Sequence, residues 1–351
     1  MNVRFGRVLH ALALAAALAA PGWAVAQEKF VFIFPVDSMV QYHPFHIAKE
    51  LGFYEEEGLD VQFEAASGSS AAMQQLIAGN ADGALPSPAA YLNAVAQGHD
   101  ARWVFSYEYH NVFTMVVPAD SDVQEVKDLK GKKVGVSELS GGEVPMVRAV
   151  LREAGLEEGT DVTMVPVGEG SALTVQALQT GQADAYSSSV FDVAALNAAD
   201  IETRVILPEN AQNFPANGVV VMADTLESKR DQVAGFLRAT AKGIVYALAN
   251  EDKALEMAKQ LKPEEFEDEA YVQEGWKAIH FLMERPEAMA DAPLGAHYEE
   301  GFQSYHDFLR QGSEEEGALP QDVDLESALD ESLIEQANEF DRQAVEQQAQ
   351  Q

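Results

Sequence analysis

The chain predicts an α/β protein of two lobes, each with a central, mostly parallel sheet flanked by helices, the lobes joined by two crossing strands. Three observations carry that expectation. The segment GSSAAMQQLIAGNAD from Gly68 to Asp82 returns 102 positions later as GSALTVQALQTGQAD from Gly170 to Asp184. Two further segments, NVFTMVVPAD from Asn111 to Asp120 and NGVVVMAD from Asn217 to Asp224, resemble each other and fall where one lobe would end and the other begin. The 351 residues are enough for two cores and contain no cysteine, so stability has to come from burial and thiol chemistry is excluded.

Taken in order, the chain opens on a secretory signal. Arg4 and Arg7 precede an apolar run from Val8 to Ala20, Pro21-Gly22 interrupts it, and Ala24-Val25-Ala26 offers small residues at the cleavage positions. Residues 1–26 are therefore expected to be removed, leaving a mature chain that begins at Gln27. The run is shorter than the roughly 20 apolar residues that span a bilayer, and no cysteine follows it to take a lipid anchor. The expected location is the periplasm, free of the inner membrane.

Each copy of the repeat has a short apolar strand before it, Leu59 to Phe63 in the first and Asp161 to Val165 in the second. A Gly-Ser helix start follows, then a helical run with apolar residues at Met73, Leu76 and Ile77, or at Leu173, Val175 and Leu178. Gly79 and Gly181 end the helices, and Ala-Asp leads into another strand. Strand, helix, strand is the unit of a parallel sheet covered by helices. Further strands are expected near residues 30–34, 101–106, 133–137 and 204–207, and helices near 44–51, 88–97, 145–154 and 190–198. The first lobe should comprise residues 27–112 and 223–342, the second 113–222, with a frayed Gln-rich tail over 343–351. Trp276, Phe281 and Tyr305, in the helical C-terminal part, are placed to pack back on the first lobe.

Acidic residues number 57 against 23 basic ones, a formal charge of −34. That balance excludes nucleic acid and anionic membrane surfaces as partners. Runs such as Glu55-Glu56-Glu57 lie between apolar segments and read as a solvated, salt-tolerant exterior. No G-x-S-x-G, G-x-x-x-x-G-K or H-E-x-x-H motif occurs, so no hydrolase or transferase machinery is visible and no cofactor is expected. His43 and His46 stand three apart at a helix start, but no third ligand lies nearby, and a metal site is not expected either.

Several fragments in order carry a family resemblance: HPFHIAKELGFYEEEGLDV from His43 to Val61, LIAGNADGAL from Leu76 to Leu85, LKGKKVGV from Leu129 to Val136 and DESLIEQANEF from Asp330 to Phe340. Together they resemble the two-lobed periplasmic solute-binding proteins of ABC importers (the type II periplasmic binding fold), in the branch of thiamine-pyrimidine, nitrate, sulfonate and taurine binders. The resemblance implies a monomer that captures a small solute between its lobes, closes about the crossing strands and delivers to a permease in the inner membrane. The opening PVDSMVQYHPF from Pro35 to Phe45 departs from the W-T-P-N type of the pyrimidine binders. A fungal thiamine-pyrimidine synthase shares the fold, but its cysteine-rich motif has no counterpart here. A sensor subunit delivering to a receptor is a further alternative.

In open parallel sheets ligands bind beyond the carboxyl ends of the strands, where helix N-termini present free N–H groups. Six loops meet that description, and they supply the candidate residues: Asp37, Tyr42 and His43; Ser67, Gly68 and Ser69; Ser87; Tyr107; Glu138, Ser140, Gly141 and Glu143; Tyr186 and Ser187. Capping a helix and touching a ligand are equally open for any one serine. None of the six loops contains Arg or Lys, which oxyanion sites use. Carboxylates and aromatic rings favour instead a small planar nitrogen compound, neutral or cationic, for which a thiamine-precursor pyrimidine serves as an example. The alternative within the family is a sulfonate, taurine or nitrate ligand.

Overall fold

The computed structural model describes residues 27–139, 141–311 and 319–351. The expected signal over residues 1–26 lies outside them. Among the described residues ten strands form two five-stranded sheets. The first contains β1 (Glu28–Phe34), β2 (Leu59–Ala65), β3 (Gly83–Ala84), β4 (Ala101–Ser106) and β10 (Gly218–Met222), in the order β2-β1-β3-β10-β4. The second contains β5 (Phe113–Pro118), β6 (Lys133–Val136), β7 (Thr163–Pro166), β8 (Ala185–Ser189) and β9 (Thr203–Val205), in the order β7-β6-β8-β5-β9. In each sheet four strands share one direction, and the strand fourth in the order, β10 or β5, runs antiparallel to both of its neighbours. The two-lobed α/β expectation thus holds, with one topology used twice.

Both faces of each sheet are covered at its centre, so inner strands such as β10, β5 and β8 bury residues of both parities, whereas the edge strand β2 alternates buried and exposed residues over its first four positions. On one face of the first sheet Phe30 and Phe32 meet Phe236, each with ring centres 4.7 Å apart. Phe236 belongs to the helix Arg230–Ala249, whose buried residues run nearly unbroken from Val233 to Ala247. The other face buries Ile33, Leu76, Tyr91 and Trp103. The second sheet places Val134, Val136 and Met115 in one core and Val116, Ala183 and Tyr186 in another.

The two similar segments expected to cross between the lobes do not cross. Asn111–Asp120 contains β5 and Asn217–Asp224 contains β10, and each strand lies wholly within one sheet. The crossings are the irregular connections just before them. They are tied to each other: Tyr107 and Glu108 donate their N–H groups to Asn217 O at 3.2 and 3.0 Å, and Asn111 N–H donates to Gln212 O at 3.0 Å. Residues 218–222, expected in the second lobe, therefore belong to the first, because β10 bonds β3 and β4. The tail is not frayed. Residues Arg342–Ala349 form a helix that buries Val345 and Ala349 against the Arg230–Ala249 helix, where Asn250 Nδ2 donates to Ala349 O at 2.9 Å. Trp276 does pack on the first lobe, while Phe281 is 46 % exposed and stacks on His110.

Candidate functional site

Between the sheets lies a cleft of about 1180 Å³. Its first-lobe wall is built from helix starts. Gly68, at φ 97°, precedes the helix Ser69–Ile77, and Ser87 precedes Pro88–Ala96. Ser67, Gly68, Ser69 and Ser87 all line the cleft. Ser87 N–H donates to Ser69 Oγ at 3.0 Å, so the two helix starts are joined and the Ser69 hydroxyl keeps its proton for another acceptor. Gln41 and Tyr42 complete this wall with Asn217. Tyr42 breaks the regularity of the helix Met39–Glu50 (φ −119°, ψ 19°) and lies flat on Phe34, ring centres 4.6 Å apart.

The second-lobe wall is acidic. Glu138, Gly141 and Glu143 line it, joined by Glu169 and Asp192. Glu143 bends back over its own loop: Oε1 accepts from Ser137 N–H at 2.7 Å and from Ser137 Oγ at 2.6 Å, and the residue is nearly fully buried. Burial raises its carboxyl pKa, against the lowering effect of those bonds. A Cβ on Gly141 would press on both carboxylate oxygens of Glu143 and on Ser137 Oγ, so any larger residue there would have to displace that carboxylate. Asp192 accepts from the Ser188 and Ser189 hydroxyls at 2.5 and 2.8 Å at the start of the helix Val190–Ala198. Among the described residues the lining contains four carboxylates and no Arg or Lys.

Of the fourteen candidates, Tyr42, Ser67, Gly68, Ser69, Ser87, Glu138, Gly141 and Glu143 are brought together on this cleft. Ser140 lies outside the described residues. Five others point elsewhere. Asp37 is exposed and pairs with Lys262 at 2.8 Å. His43 is buried, its ring centre 4.1 Å from Trp276, with Nδ1 3.0 Å from Val40 O, and burial pushes its pKa down to about 3. Tyr107 is buried with its hydroxyl donating to Gln41 O at 2.8 Å. Tyr186 donates to Gly168 O at 2.8 Å and accepts from Gly170 N–H at 3.0 Å, and the Ser187 hydroxyl donates to Thr114 O at 2.8 Å. In each of the last three, a backbone partner within the fold satisfies the polar atom and draws the side chain inward.

Sequence reasoning missed Phe113, Phe191, Tyr271 and Tyr305, whose rings also line the cleft, and Asp192. For Phe191 and Asp192 a signal existed: Ser189 and Asp192 have the spacing of a helix capping box, directly after the Tyr186–Ser189 loop. Tyr271 and Tyr305 come from the helices Glu269–Met283 and Glu299–Arg310, for which no pattern ties them to either sheet. Behind the cleft, Glu108 sits buried at the first crossing. Its Oε2 accepts from Asn217 N–H at 3.1 Å, and burial drives its pKa up to about 8.

The NMT1/THI5-like family profile matches residues 40–254. The chain belongs to that family. The riboflavin-binding protein RibY of Chloroflexus aurantiacus is 25% identical over 228 residues, a stretch covering 64% of this chain and 64% of that protein. A putative thiamine biosynthesis protein of Haemophilus influenzae is 27% identical over 244 residues, 68% of this chain and 76% of the relative. Among solved structures, the periplasmic aliphatic sulphonate binding protein SsuA of Escherichia coli superimposes with a TM-score of 0.65 at 16% identity, covering 86% of this chain and 97% of that one. The shared architecture is the periplasmic-binding-protein fold.

Proposed function

We propose that this protein is the extracytoplasmic solute-binding component of an ABC import system and that its solute is a small planar nitrogen compound, neutral or cationic, held between the lobes. One observation carries the reading: the described lining combines the rings of Tyr42, Phe113, Phe191, Tyr271 and Tyr305 with Glu138, Glu143, Glu169 and Asp192, and no Arg or Lys. Rings stack on flat heterocycles. Carboxylates accept from N–H and O–H donors, and they repel an anion in a partly desolvated cleft. The names of the two relatives point to riboflavin and to thiamine synthesis, both chemistries of planar nitrogen rings. Closure would turn on the bonded crossings around Glu108 and Asn217, and the closed monomer would deliver to a permease without chemical change in the solute.

A thermal-shift and calorimetric series on the purified chain tests this. Riboflavin and an aminopyrimidine are compared with ethanesulfonate, taurine and nitrate, since a ligand that binds only the folded state raises its melting temperature by mass action. A rise with a heterocycle and none with the anions is the expected result. Tight binding of a sulfonate or nitrate, with no response to any heterocycle, overturns it.

A further inference from the structure

The helix Met39–Glu50 begins beside the cleft, with Pro35 and Val36 before it and Gln41 and Tyr42 within it all on the lining. Its first turn does not face solvent. Glu265, on the short 3-10 turn Pro263–Phe266, reaches it from the C-terminal part of the chain. Glu265 Oε2 accepts from Met39 N–H at 2.7 Å, and Oε1 accepts from Val40 N–H at 3.0 Å and from the Ser38 hydroxyl at 2.6 Å. Lys262 Nζ lies 3.3 Å from the same carboxylate and 2.8 Å from Asp37.

Two backbone N–H groups at a helix start, a hydroxyl and an ammonium are the donor set with which proteins hold phosphate, sulfate or sulfonate. Here a carboxylate of the chain itself occupies all four. It is close enough to the cleft to matter there: its charge adds to the upward push that burial gives the phenols of Tyr42 and Tyr271, two of the lining rings. The Glu265 side chain is 16 % exposed and that of Lys262 22 %, so solvent screens these charges only in part.

We infer that Glu265 is a specificity-determining residue: a tethered carboxylate that fills an oxyanion-type donor set directly behind the first-lobe wall, in the turn that carries Gln41 and Tyr42 onto the lining, and so holds the first lobe to uncharged or cationic solutes. The inference rests on the solute class proposed above. It accounts for how a helix start beside the cleft can coexist with a site that takes no anion. It also explains why Asp37 turns away from the lining, since Lys262 is shared between Asp37 and Glu265 rather than aimed at a ligand.

Chemical rescue tests it. In Glu265→Ala the melting temperature should fall and be partly restored by acetate or sulfate, but not by chloride at matched ionic strength. Sulfate should bind this variant at least about tenfold more tightly than the wild type, as restored charge-assisted hydrogen bonds would require. Adding Lys262→Ala should abolish the gain. A folded Glu265→Ala that gains no affinity for acetate or sulfate, or a gain that survives Lys262→Ala unchanged, overturns the inference. Should Glu265→Ala not fold, Glu265→Gln carries the test: sulfate should raise its melting temperature more than that of the wild type, and an identical response overturns the inference. A heterocycle titration of the wild type, run alongside, separates the two readings. Its failure sinks the proposed solute class, whereas absent rescue with intact heterocycle binding sinks only the role of Glu265.

Discussion

The two copies of the repeat do the same structural work and different work at the cleft. Asp82 and Asp184, 102 residues apart, each accept through Oδ2 from a strand N–H, Val31 in the first lobe and Lys133 in the second, both at 2.8 Å. Each returns its own N–H to the same residue's carbonyl, at 2.9 and 2.8 Å. Gly79 and Gly181 leave their helices at φ 75° and 69°. The helix starts, however, diverge. In the first copy Gly68 opens to free space and Ser67, Gly68, Ser69 and Ser70 face the cleft. In the second, Gly170 presses on the Val190–Ala198 helix, and Thr174, which stands where the first copy has Ala72, ties its hydroxyl to Val167 O at 2.8 Å and to Ser171 N–H at 3.1 Å. Only Glu169 of that start reaches the cleft, at the position of Ser67. Duplication preserved the scaffold contact and left the ligand-facing positions free to differ, neutral on one wall and acidic on the other.

The largest effect should separate the two glycines. A Cβ at Gly170 would come within 2.6 Å of Asp192 O, a backbone atom that cannot yield, and φ there is 60°. Gly170→Ala should cost about 2–5 kcal/mol, combining the left-handed backbone penalty with overpacking. Gly68→Ala meets no atom but holds an extended conformation at φ 97° that side chains resist, at about 1–3 kcal/mol. Urea unfolding of both variants checks the order. Equal losses would mean that the contact at Gly170 relaxes freely.

A smaller difference is expected between the shared aspartates. Removing either carboxylate leaves a strand N–H without its acceptor, so Asp82→Ala and Asp184→Ala should each lose about 1–3 kcal/mol. Asp82 also pairs with Lys229 at 2.6 Å, whereas Asp184 has Lys132 only at 4.0 Å. The first substitution should therefore cost more, by up to about 1 kcal/mol, because a half-exposed pair is weak. A reversed order in thermal melts would show that the two copies are not equivalent even as scaffold.

This division explains what the sequence could tell. Periodicity and repetition report scaffold, so the parallel strands, the helix starts and their convergence on one cleft were legible. The likeness of Asn111–Asp120 to Asn217–Asp224 marked two strands in equivalent places, but nothing local says which side of a crossing a strand lies on. Tyr107 and Tyr186 had the same standing as Tyr42 before the structure, since a ring at a strand end reads alike whether it faces a cleft or folds under a sheet. What decides is a distant backbone partner, Gln41 O or Gly168 O, which no window around the tyrosine contains. Tyr271, Tyr305 and Glu265 lay hidden for the same reason: they arrive from the C-terminal part of the chain, two on helices and one on a 3-10 turn, whose docking depends on the assembled core.

The finest test contrasts the hydroxyls of the two helix starts. Ser69 accepts from Ser87 N–H, yet lies on the cleft with its proton free for a ligand. Thr174 is fully buried, with its proton given to Val167 O. Thr174→Val keeps the shape and removes both bonds, so it should lower stability by about 0.5–1.5 kcal/mol while affinity for a heterocycle stays at the wild-type value. Ser69→Ala should show the reverse weighting, with weaker binding by a similar about 0.5–1.5 kcal/mol and a smaller change in melting temperature, because the Ser87 N–H it abandons sits on a wetted wall. Calorimetry and melting of the same two preparations give four numbers. If Ser69→Ala loses stability and keeps its affinity, the first copy spends its helix start as the second does, and the asymmetry between the lobes must reside in the acidic wall alone.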